Sequence, residues 1–208
     1  MSDLRGLYAV TPDDPLLPRL SSLVRATLEG GVRLVQYRNK TAPPPLRRAQ
    51  AAELLRVCRA HDARLIINDD VWLAVEIGAD GAHVGRGDAP GDSLRAAREA
   101  LGPRRILGVS CYADITLAEQ AVAAGADYIA FGAMFPSRTK PDTVRASLPL
   151  LTEARRRFGM PVAAIGGITL ENAPALIEAG ADMLAVVSDL FDAMNLAARA
   201  QAYARHFG

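Results

Sequence analysis

The tripeptide Gly-Ala-Asp occurs three times in the chain, at Gly78–Asp80, Gly125–Asp127 and Gly180–Asp182. Each copy stands between a helix-like stretch and a short apolar run, and Gly30–Gly31 holds the corresponding place before Leu34. A glycine just past a helix can adopt the left-handed conformation that ends it. One such turn on its own is an ordinary connection between a helix and a strand. The regular recurrence indicates a repeated βαβα unit, with these turns leading into strands two, four, six and eight.

Short runs rich in Val, Ile and Leu alternate with amphipathic stretches. The runs do not alternate apolar with polar residues, as is typical of parallel strands covered on both faces. The predicted strands are Leu7–Thr11, Leu34–Arg38, Leu65–Asn68, Ala82–Val84, Ile106–Ser110, Tyr128–Phe131, Val162–Ile165 and Met183–Val187. Predicted helices between them include Arg47–His61, Ser93–Leu101 and Glu171–Glu178, the last with Thr169 as its N-cap. The sequence predicts an α/β fold, a single (β/α)8 TIM barrel with a parallel eight-stranded sheet over residues 1–208.

The composition narrows the classes of partner. With 24 Lys and Arg against 23 Asp and Glu, the chain lacks the basic excess of nucleic-acid and membrane-surface proteins. No apolar run is long enough to span a bilayer, and the start does not resemble a targeting segment. Cys58 and Cys111 form neither a disulfide framework nor a metal-binding pattern. We expect a cytoplasmic protein with small-molecule partners and no nucleic-acid or membrane partner; whether it forms a homo-oligomer is left open.

Polar residues follow strands two, three and four. Arg38 and Lys40 leave strand two and share a side if the chain stays extended, which suits phosphate oxygens. Asn68-Asp69-Asp70 leaves strand three, and Asp88 follows strand four. Either Asp69 or Asp70 suits the N-cap of a helix at Val71–Ile77; we assign the cap to Asp70. Taken alone, the Gly85–Asp88 motif is more simply a Gly-Asp turn, but Asp69 and Asp88 follow neighbouring strands and can converge at one barrel end, where two carboxylates suit Mg²⁺.

Two further loops suit anions. Phe135–Pro141, after strand six, alternates hydroxyls with basic side chains and is either an anion clamp and candidate lid or a mobile polar loop. Gly166-Gly167 follows strand seven and Val187-Ser188 follows strand eight, where barrels commonly bind phosphate. For Gly166 a plain tight turn is a serious alternative.

The remaining polar residues give weaker signals. Ser110 ends strand five and either contacts a substrate or caps a helix. None of His61, His83 and His206 ends a predicted strand as a clear general base. Cys111 has no evident His partner, so we interpret it as a small packed residue rather than a nucleophile.

Short motifs in the right order resemble the thiamine-phosphate synthase family over nearly the whole chain. They are Tyr8–Pro12, Gln36–Lys40, Ile66–Asp70, Gly85–Asp88, Gly108–Ser110, Phe135–Lys140, Ala164–Ile168 and Val186–Ser188. The resemblance implies a transferase that condenses 4-amino-5-hydroxymethyl-2-methylpyrimidine pyrophosphate with thiazole phosphate, in its plain or carboxylated form. The products would be thiamine phosphate and pyrophosphate, formed by a dissociative, Mg²⁺-assisted displacement.

The resemblance also implies a role for each matching residue. Arg38, Lys40 and Lys140 are expected to act as catalytic groups on the pyrophosphate, and Asp69 and Asp88 to bind the Mg²⁺ cofactor. The pyrimidine pyrophosphate is expected at Gln36, Tyr37, Arg38, Asn39, Lys40, Asn68, Ser110 and Lys140. The thiazole phosphate is expected at Ser137, Arg138, Thr139, Gly167, Val187 and Ser188.

Two alternatives have different chemistry. The first is a thiazole tautomerase of the same superfamily, which the resemblance leads us to expect to have a His after strand five. This chain has Ser110-Cys111-Tyr112 there. A non-catalytic binder of thiamine intermediates could lose its metal carboxylates, yet Asp69 and Asp88 are both present. The sequence therefore favours the synthase.

Overall fold

The computed structural model of the chain describes residues 4–136 and 145–208. Parallel strands in sequential order close into a barrel, with β8 paired back onto β1. The strands are β1 (Gly6–Val10), β2 (Leu34–Tyr37), β3 (Arg64–Asn68), β4 (Gly81–Val84), β5 (Ile106–Tyr112), β6 (Tyr128–Phe131), β7 (Val162–Ile165) and β8 (Met183–Val186). The predicted (β/α)8 barrel is confirmed, with strand ends within one or two residues of those predicted.

Helices alternate with the strands and cover the outside of the barrel. They are α1 (Leu17–Glu29), α2 (Pro44–Arg59), α3 (Val71–Ile77), α4 (Leu94–Leu101), α5 (Ile115–Ala123), α6 (Leu148–Phe158), α7 (Ala173–Glu178), α8 (Ser188–Phe191) and α9 (Leu196–Ala204). Short 3₁₀ turns lie at Pro90–Asp92 and Arg205–Phe207. Within the described ranges, every helix is too short or too polar to cross a bilayer.

Side-chain caps start α3 and α4, and the cap predicted at Asp70 is confirmed. The Asp70 carboxylate accepts a hydrogen bond from the Leu73 amide at 2.9 Å, at the start of α3. The Ser93 hydroxyl accepts one from the Ala96 amide at 3.3 Å, at the start of α4. Because each side chain satisfies an amide that has no partner within the helix, both helices start where their caps stand.

Two other helix starts differ from the prediction. The predicted N-cap Thr169 lies one turn too early, because its amide donates to the Asn172 side chain at 2.9 Å and closes a separate turn before α7. Helix α2 starts at Pro44 rather than Arg47. Proline suits the first turn of a helix, where its missing amide hydrogen costs no hydrogen bond.

The aspartate of each Gly-Ala-Asp turn joins two strands at the bottom of the barrel. Asp80 accepts a hydrogen bond from the Leu65 amide of β3 at 2.8 Å while its own chain enters β4. Asp127 does the same for Leu107 of β5, and Asp182 for Val162 of β7, at 2.8 and 2.9 Å. The recurring turn is therefore confirmed, and its aspartate links β3, β5 and β7 each to the next even strand.

Apolar side chains form two layers. The larger cluster fills the space between the strands and the helices. A smaller cluster lies inside the barrel and includes Tyr8, Val10, Ile66, Tyr128 and Met183. Tyr8 and Tyr128 meet edge to face with ring centroids 5.9 Å apart.

Gly108 in β5 makes room for one of these rings. An added Cβ at Gly108 would overlap the ring of Tyr128. We expect Gly108→Ala to lower the free energy of unfolding by about 2–3 kcal/mol, because the ring and its neighbours must shift. Gly159→Ala is the control: it adds a methyl in open space at φ 60°, so about 1 kcal/mol of backbone strain is expected. Urea unfolding followed by circular dichroism measures both, and equal losses would contradict this account.

Candidate active site

A cavity of about 710 Å³ opens at the carboxyl ends of the strands. This is the end of a (β/α)8 barrel at which active sites lie. The described residues predicted from the sequence that line it are Gln36, Arg38, Lys40, Asn68, Asp69, Asp88, Ser110, Gly167, Val187 and Ser188. The structure thus brings together residues from loops far apart in the chain. Ser137, Arg138, Thr139 and Lys140 lie outside the described residues.

Acidic and basic groups meet on one wall of the cavity. Lys40 Nζ lies 3.1 Å from Asp69 Oδ2. Partial burial raises the pKa of the Asp88 carboxyl, and the negative charge of Asp69 and a hydrogen bond with it raise it further. The Gly85 amide donates to Asp88 Oδ2 at 3.1 Å, and this hydrogen bond lowers the pKa of Asp88. Asp69 and Asp88 therefore form a close pair of carboxyl groups.

Such a pair suits a divalent cation. The carboxylates repel one another when both are charged, and their hard oxygen atoms are the ligands that Mg²⁺ prefers. In residues 4–136 and 145–208, no three His, Cys, Asp or Glu side chains cluster as a metal site. Mg²⁺ held by Asp69 and Asp88 would therefore complete its shell with substrate oxygens and water, as it commonly does.

The end of β2 is held by hydrogen bonds to the loop after β1. The Thr11 hydroxyl donates to the Arg38 carbonyl, and the Arg38 amide donates back to Thr11 Oγ1, both at 2.9 Å. Asp13 accepts from the Lys40 amide at 3.0 Å and lies 3.4 Å from the Arg38 guanidinium. These contacts fix the backbone of Arg38 and Lys40 while leaving both side chains partly exposed to the cavity.

Tyr37 and Asn39, which were predicted to contact the pyrimidine pyrophosphate, do not line the cavity. Successive side chains of extended backbone point to opposite sides, so Gln36, Arg38 and Lys40 face the cavity while the two between them face outward. The Tyr37 hydroxyl donates to Gln50 Oε1 at 2.8 Å, and Asn39 Nδ2 donates to the same oxygen at 2.9 Å. In the structure both side chains brace the loop against α2.

The opposite wall is formed by the ends of β7 and β8. Gly167 has φ 64°, and an added Cβ would lie within 2.8 Å of the carbonyl oxygens of Phe135 and Pro136. Its carbonyl accepts a hydrogen bond from Asn172 Nδ2 at 3.0 Å. Gly167 and Ser188 both line the cavity, and neither has a bulky side chain.

Sequence reasoning missed His83 as a site residue. Its ring lies in the cavity floor, with Nε2 2.8 Å from Ser110 Oγ and Nδ1 2.8 Å from the Tyr128 hydroxyl. Burial lowers the pKa of His83 to about 4, so the ring is neutral at pH 7. Burial also raises the pKa of Tyr8 and Tyr128, and both hydroxyls keep their protons. His83 stands inside a strand, and a search for polar residues at strand ends passes over it.

Tyr112 is a second missed residue. The pairing of β5 with β6 shifts register between Ser110 and Tyr112, and Tyr112 takes φ 53°. Its hydroxyl accepts a hydrogen bond from the Arg86 amide at 3.2 Å, and the Arg86 guanidinium lies 5.7 Å from the ring centroid. The shift in register is what turns this side chain to the cavity rim, and no pattern in the sequence indicates it.

The buried His83 predicts a pH dependence of stability. Its pKa is about 4 in the folded protein and ordinarily about 6.5 in an unfolded chain. Between these values the unfolded state binds a proton that the folded state does not, so stability falls as the pH falls from 6.5 to 4, by up to about 3 kcal/mol. Urea unfolding across this range should show a shallower fall for His83→Asn. Parallel curves would contradict the assignment.

The fold and the cavity define a (β/α)8-barrel protein with its site at the carboxyl ends of the strands. Residues 7–190 match the family model described as thiamine monophosphate synthase. The chain belongs to this family, and the protein is a transferase enzyme.

Relatives match over nearly their whole length. The thiamine-phosphate synthase of Azoarcus sp. (strain BH72) is 54% identical over 204 residues, covering 98% of each chain. That of Nitrosococcus oceani is 50% identical over 208 residues, covering 99% of this chain and 94% of the relative. Among solved structures, thiamine phosphate pyrophosphorylase from Pyrococcus furiosus has a TM-score of 0.85 at 31% identity and covers 99% of this chain and 96% of its own.

Proposed function

We propose that this protein is a thiamine-phosphate synthase, which joins 4-amino-5-hydroxymethyl-2-methylpyrimidine pyrophosphate to thiazole phosphate. The observation that carries the proposal is the convergence of Asp69, Asp88 and Lys40 on one wall of a single cavity. A pair of carboxyl groups with a neighbouring ammonium suits a metal-bound pyrophosphate better than it suits an uncharged substrate. Membership of the family supports the same reaction.

The pyrophosphate would bind at this wall. Arg38 supplies a guanidinium fork for its oxygens and Lys40 a mobile ammonium, and Asn68 lines the same wall. Lys140 is proposed to add a further positive charge from the loop after β6. When bound between Asp69, Asp88 and the substrate, Mg²⁺ would neutralise negative charge that develops on the departing pyrophosphate.

Bond breaking would precede bond making. The bond between the pyrimidine methylene carbon and the pyrophosphate oxygen breaks, and the electron pair leaves with the pyrophosphate. The thiazole nitrogen then donates its lone pair to the resulting carbocation and becomes the thiazolium nitrogen of thiamine phosphate. No proton is removed from either reacting centre. This agrees with the neutral His83, whose two ring nitrogens are both engaged with Tyr128 and Ser110.

The thiazole phosphate would bind at the opposite wall. Gly167, Val187 and Ser188 line it, and small residues there leave room for a phosphate group against the backbone. Ser137, Arg138 and Thr139 are proposed to approach the same phosphate. The two phosphorylated substrates would therefore meet head to head, with their charged ends at opposite walls.

Removal of the metal site tests the proposal. Purified protein should form thiamine phosphate with Mg²⁺ and lose this activity with EDTA. We expect Asp69→Asn to lower kcat/KM by at least about a hundredfold, because the leaving charge is no longer neutralised. Asp70→Asn is the matched control: asparagine caps a helix as well as aspartate does, so activity should be kept. Wild-type protein that forms no thiamine phosphate would contradict the function, and an active Asp69→Asn would contradict the metal site.

Ser188→Ala tests the second subsite separately. We expect it to raise KM for thiazole phosphate about tenfold, by loss of a charge-assisted hydrogen bond, with KM for the pyrimidine pyrophosphate unchanged. Ser22→Ala, which removes a surface hydroxyl bonded to the Pro18 carbonyl, is the control. Steady-state kinetics with each substrate varied in turn measures both. Equal changes in the two KM values would argue against a thiazole phosphate site at Ser188.

A further inference from the structure

An unbroken chain of hydrogen bonds crosses the barrel interior beneath the cavity. Gln36 Nε2 donates to the Tyr8 hydroxyl, which is bonded to the Tyr128 hydroxyl, each at 2.8 Å. The Tyr128 hydroxyl contacts His83 Nδ1, and His83 Nε2 contacts Ser110 Oγ, again at 2.8 Å. We call these five residues the interior relay.

The ends and the middle of the interior relay differ in access. Gln36 and Ser110 line the cavity and so can meet a ligand directly. Tyr8 and Tyr128 are 1% and 0% exposed and do not line it. Whatever the two tyrosines contribute must therefore pass through Gln36, His83 and Ser110.

Because each member of the interior relay has a limited number of protons to donate, all its hydrogen bonds point the same way at any one time. Each tyrosine hydroxyl and a neutral imidazole have one proton to donate. When Gln36 donates to Tyr8, Tyr8 donates to Tyr128 and Tyr128 to Nδ1 of His83. The Nε2 proton of His83 then goes to Ser110, whose own hydroxyl proton is left for the cavity.

The same limit couples the hydrogen-bonding roles that Gln36 and Ser110 present to the cavity. With Gln36 donating inward, its carbonyl oxygen remains to accept from a ligand while Ser110 donates to one. Rotation of the Gln36 amide reverses every bond: Gln36 then presents donors to the cavity, and Ser110 presents a lone pair. One end accepts while the other donates, so the cavity floor offers a paired pattern rather than two independent groups.

We propose that Tyr8, Tyr128 and His83 are positioning residues that fix this donor–acceptor pattern and so select a 4-aminopyrimidine over its 4-oxo counterpart. The edge of a 4-aminopyrimidine carries an amino donor next to a ring-nitrogen acceptor. In the 4-oxo form the two roles are exchanged. The orientation in the structure, with Gln36 donating inward, leaves the acceptor that an amino group needs and the donor that a ring nitrogen needs. This inference rests on the proposed function and names what recognises the pyrimidine within it.

Tyr128→Phe tests the interior relay without touching a cavity residue. It removes the hydroxyl that connects Tyr8 with His83. We expect the ratio of kcat/KM for the aminopyrimidine pyrophosphate to that for its 4-oxo analogue to fall at least about tenfold, because Gln36 and Ser110 no longer set one another's polarity. KM for thiazole phosphate should stay within about twofold of wild type, since that wall is not part of the relay.

Ile129→Val is the matched control. It lies on the same strand with its side chain in the outer cluster, and it removes a methyl group from the core without reaching the interior relay. A purely structural role for Tyr128 would lower stability in both variants and leave the ratio of the two substrates unchanged. Thermal unfolding identifies a variant that does not fold, and Tyr8→Phe then breaks the same chain one residue earlier.

The outcomes separate the inference from the proposed function. Active wild type with an unchanged ratio in the folded Tyr128→Phe and Tyr8→Phe variants would overturn the inference and leave the synthase intact. Inactive wild type would overturn the synthase. In that case the inference is tested by calorimetric binding of 4-amino-5-hydroxymethyl-2-methylpyrimidine and its 4-oxo analogue. Loss of the preference for the amino compound in Tyr128→Phe supports the inference. An unchanged preference, or no binding by wild type, overturns it.

Discussion

The hydrogen bonds that Asp80, Asp127 and Asp182 accept from the preceding strands are the constraint on which the barrel depends. Each aspartate stands in a turn at the bottom of the barrel and accepts the amide of an odd strand while its own chain enters the next even strand. A charged acceptor makes such a bond stronger than one between neutral groups. The three bonds set the register of three strand pairs, and the register sets which residues stand level at the other end. Asp69 follows β3 and Asp88 follows β4, and the Asp80 bond aligns this pair of strands, so the two carboxyl groups stand near one another.

The end of β2 shows how far the sequence determines the site. Alternation along extended backbone turns Gln36, Arg38 and Lys40 to the cavity, and the motif alone marks this segment as functional. The assignment of Tyr37 and Asn39 to the same ligand treated neighbouring residues as equivalent, although the same alternation separates them. Their side chains meet Gln50 of α2, a contact between elements that the spacing of residues in one motif does not contain.

Strand positions and the recurring turns could be predicted because they depend on local composition. His83, Tyr8 and Tyr128 could not be assembled in this way. They belong to β4, β1 and β6, and Tyr8 lies 120 residues from its hydrogen-bond partner Tyr128. Which interior side chains meet depends on the stagger of the closed barrel, and that is a property of the whole sheet. Tyr112 was missed for a related reason, since a register shift at the end of β5 turns it to the rim.

The distribution of charge within the cavity follows from the cost of burial. Ionised groups such as Lys40, Asp69 and Arg38 stand at the rim, where water still reaches them, because an unpaired charge inside the barrel would be strongly destabilising. The floor holds neutral polar groups, each with a hydrogen-bond partner, and burial keeps His83 neutral. A substrate with a charged pyrophosphate and an uncharged ring matches this division. In the proposed complex the ring would enter the floor without bringing a charge, while the pyrophosphate would stay at the rim, where charged groups are least costly to maintain.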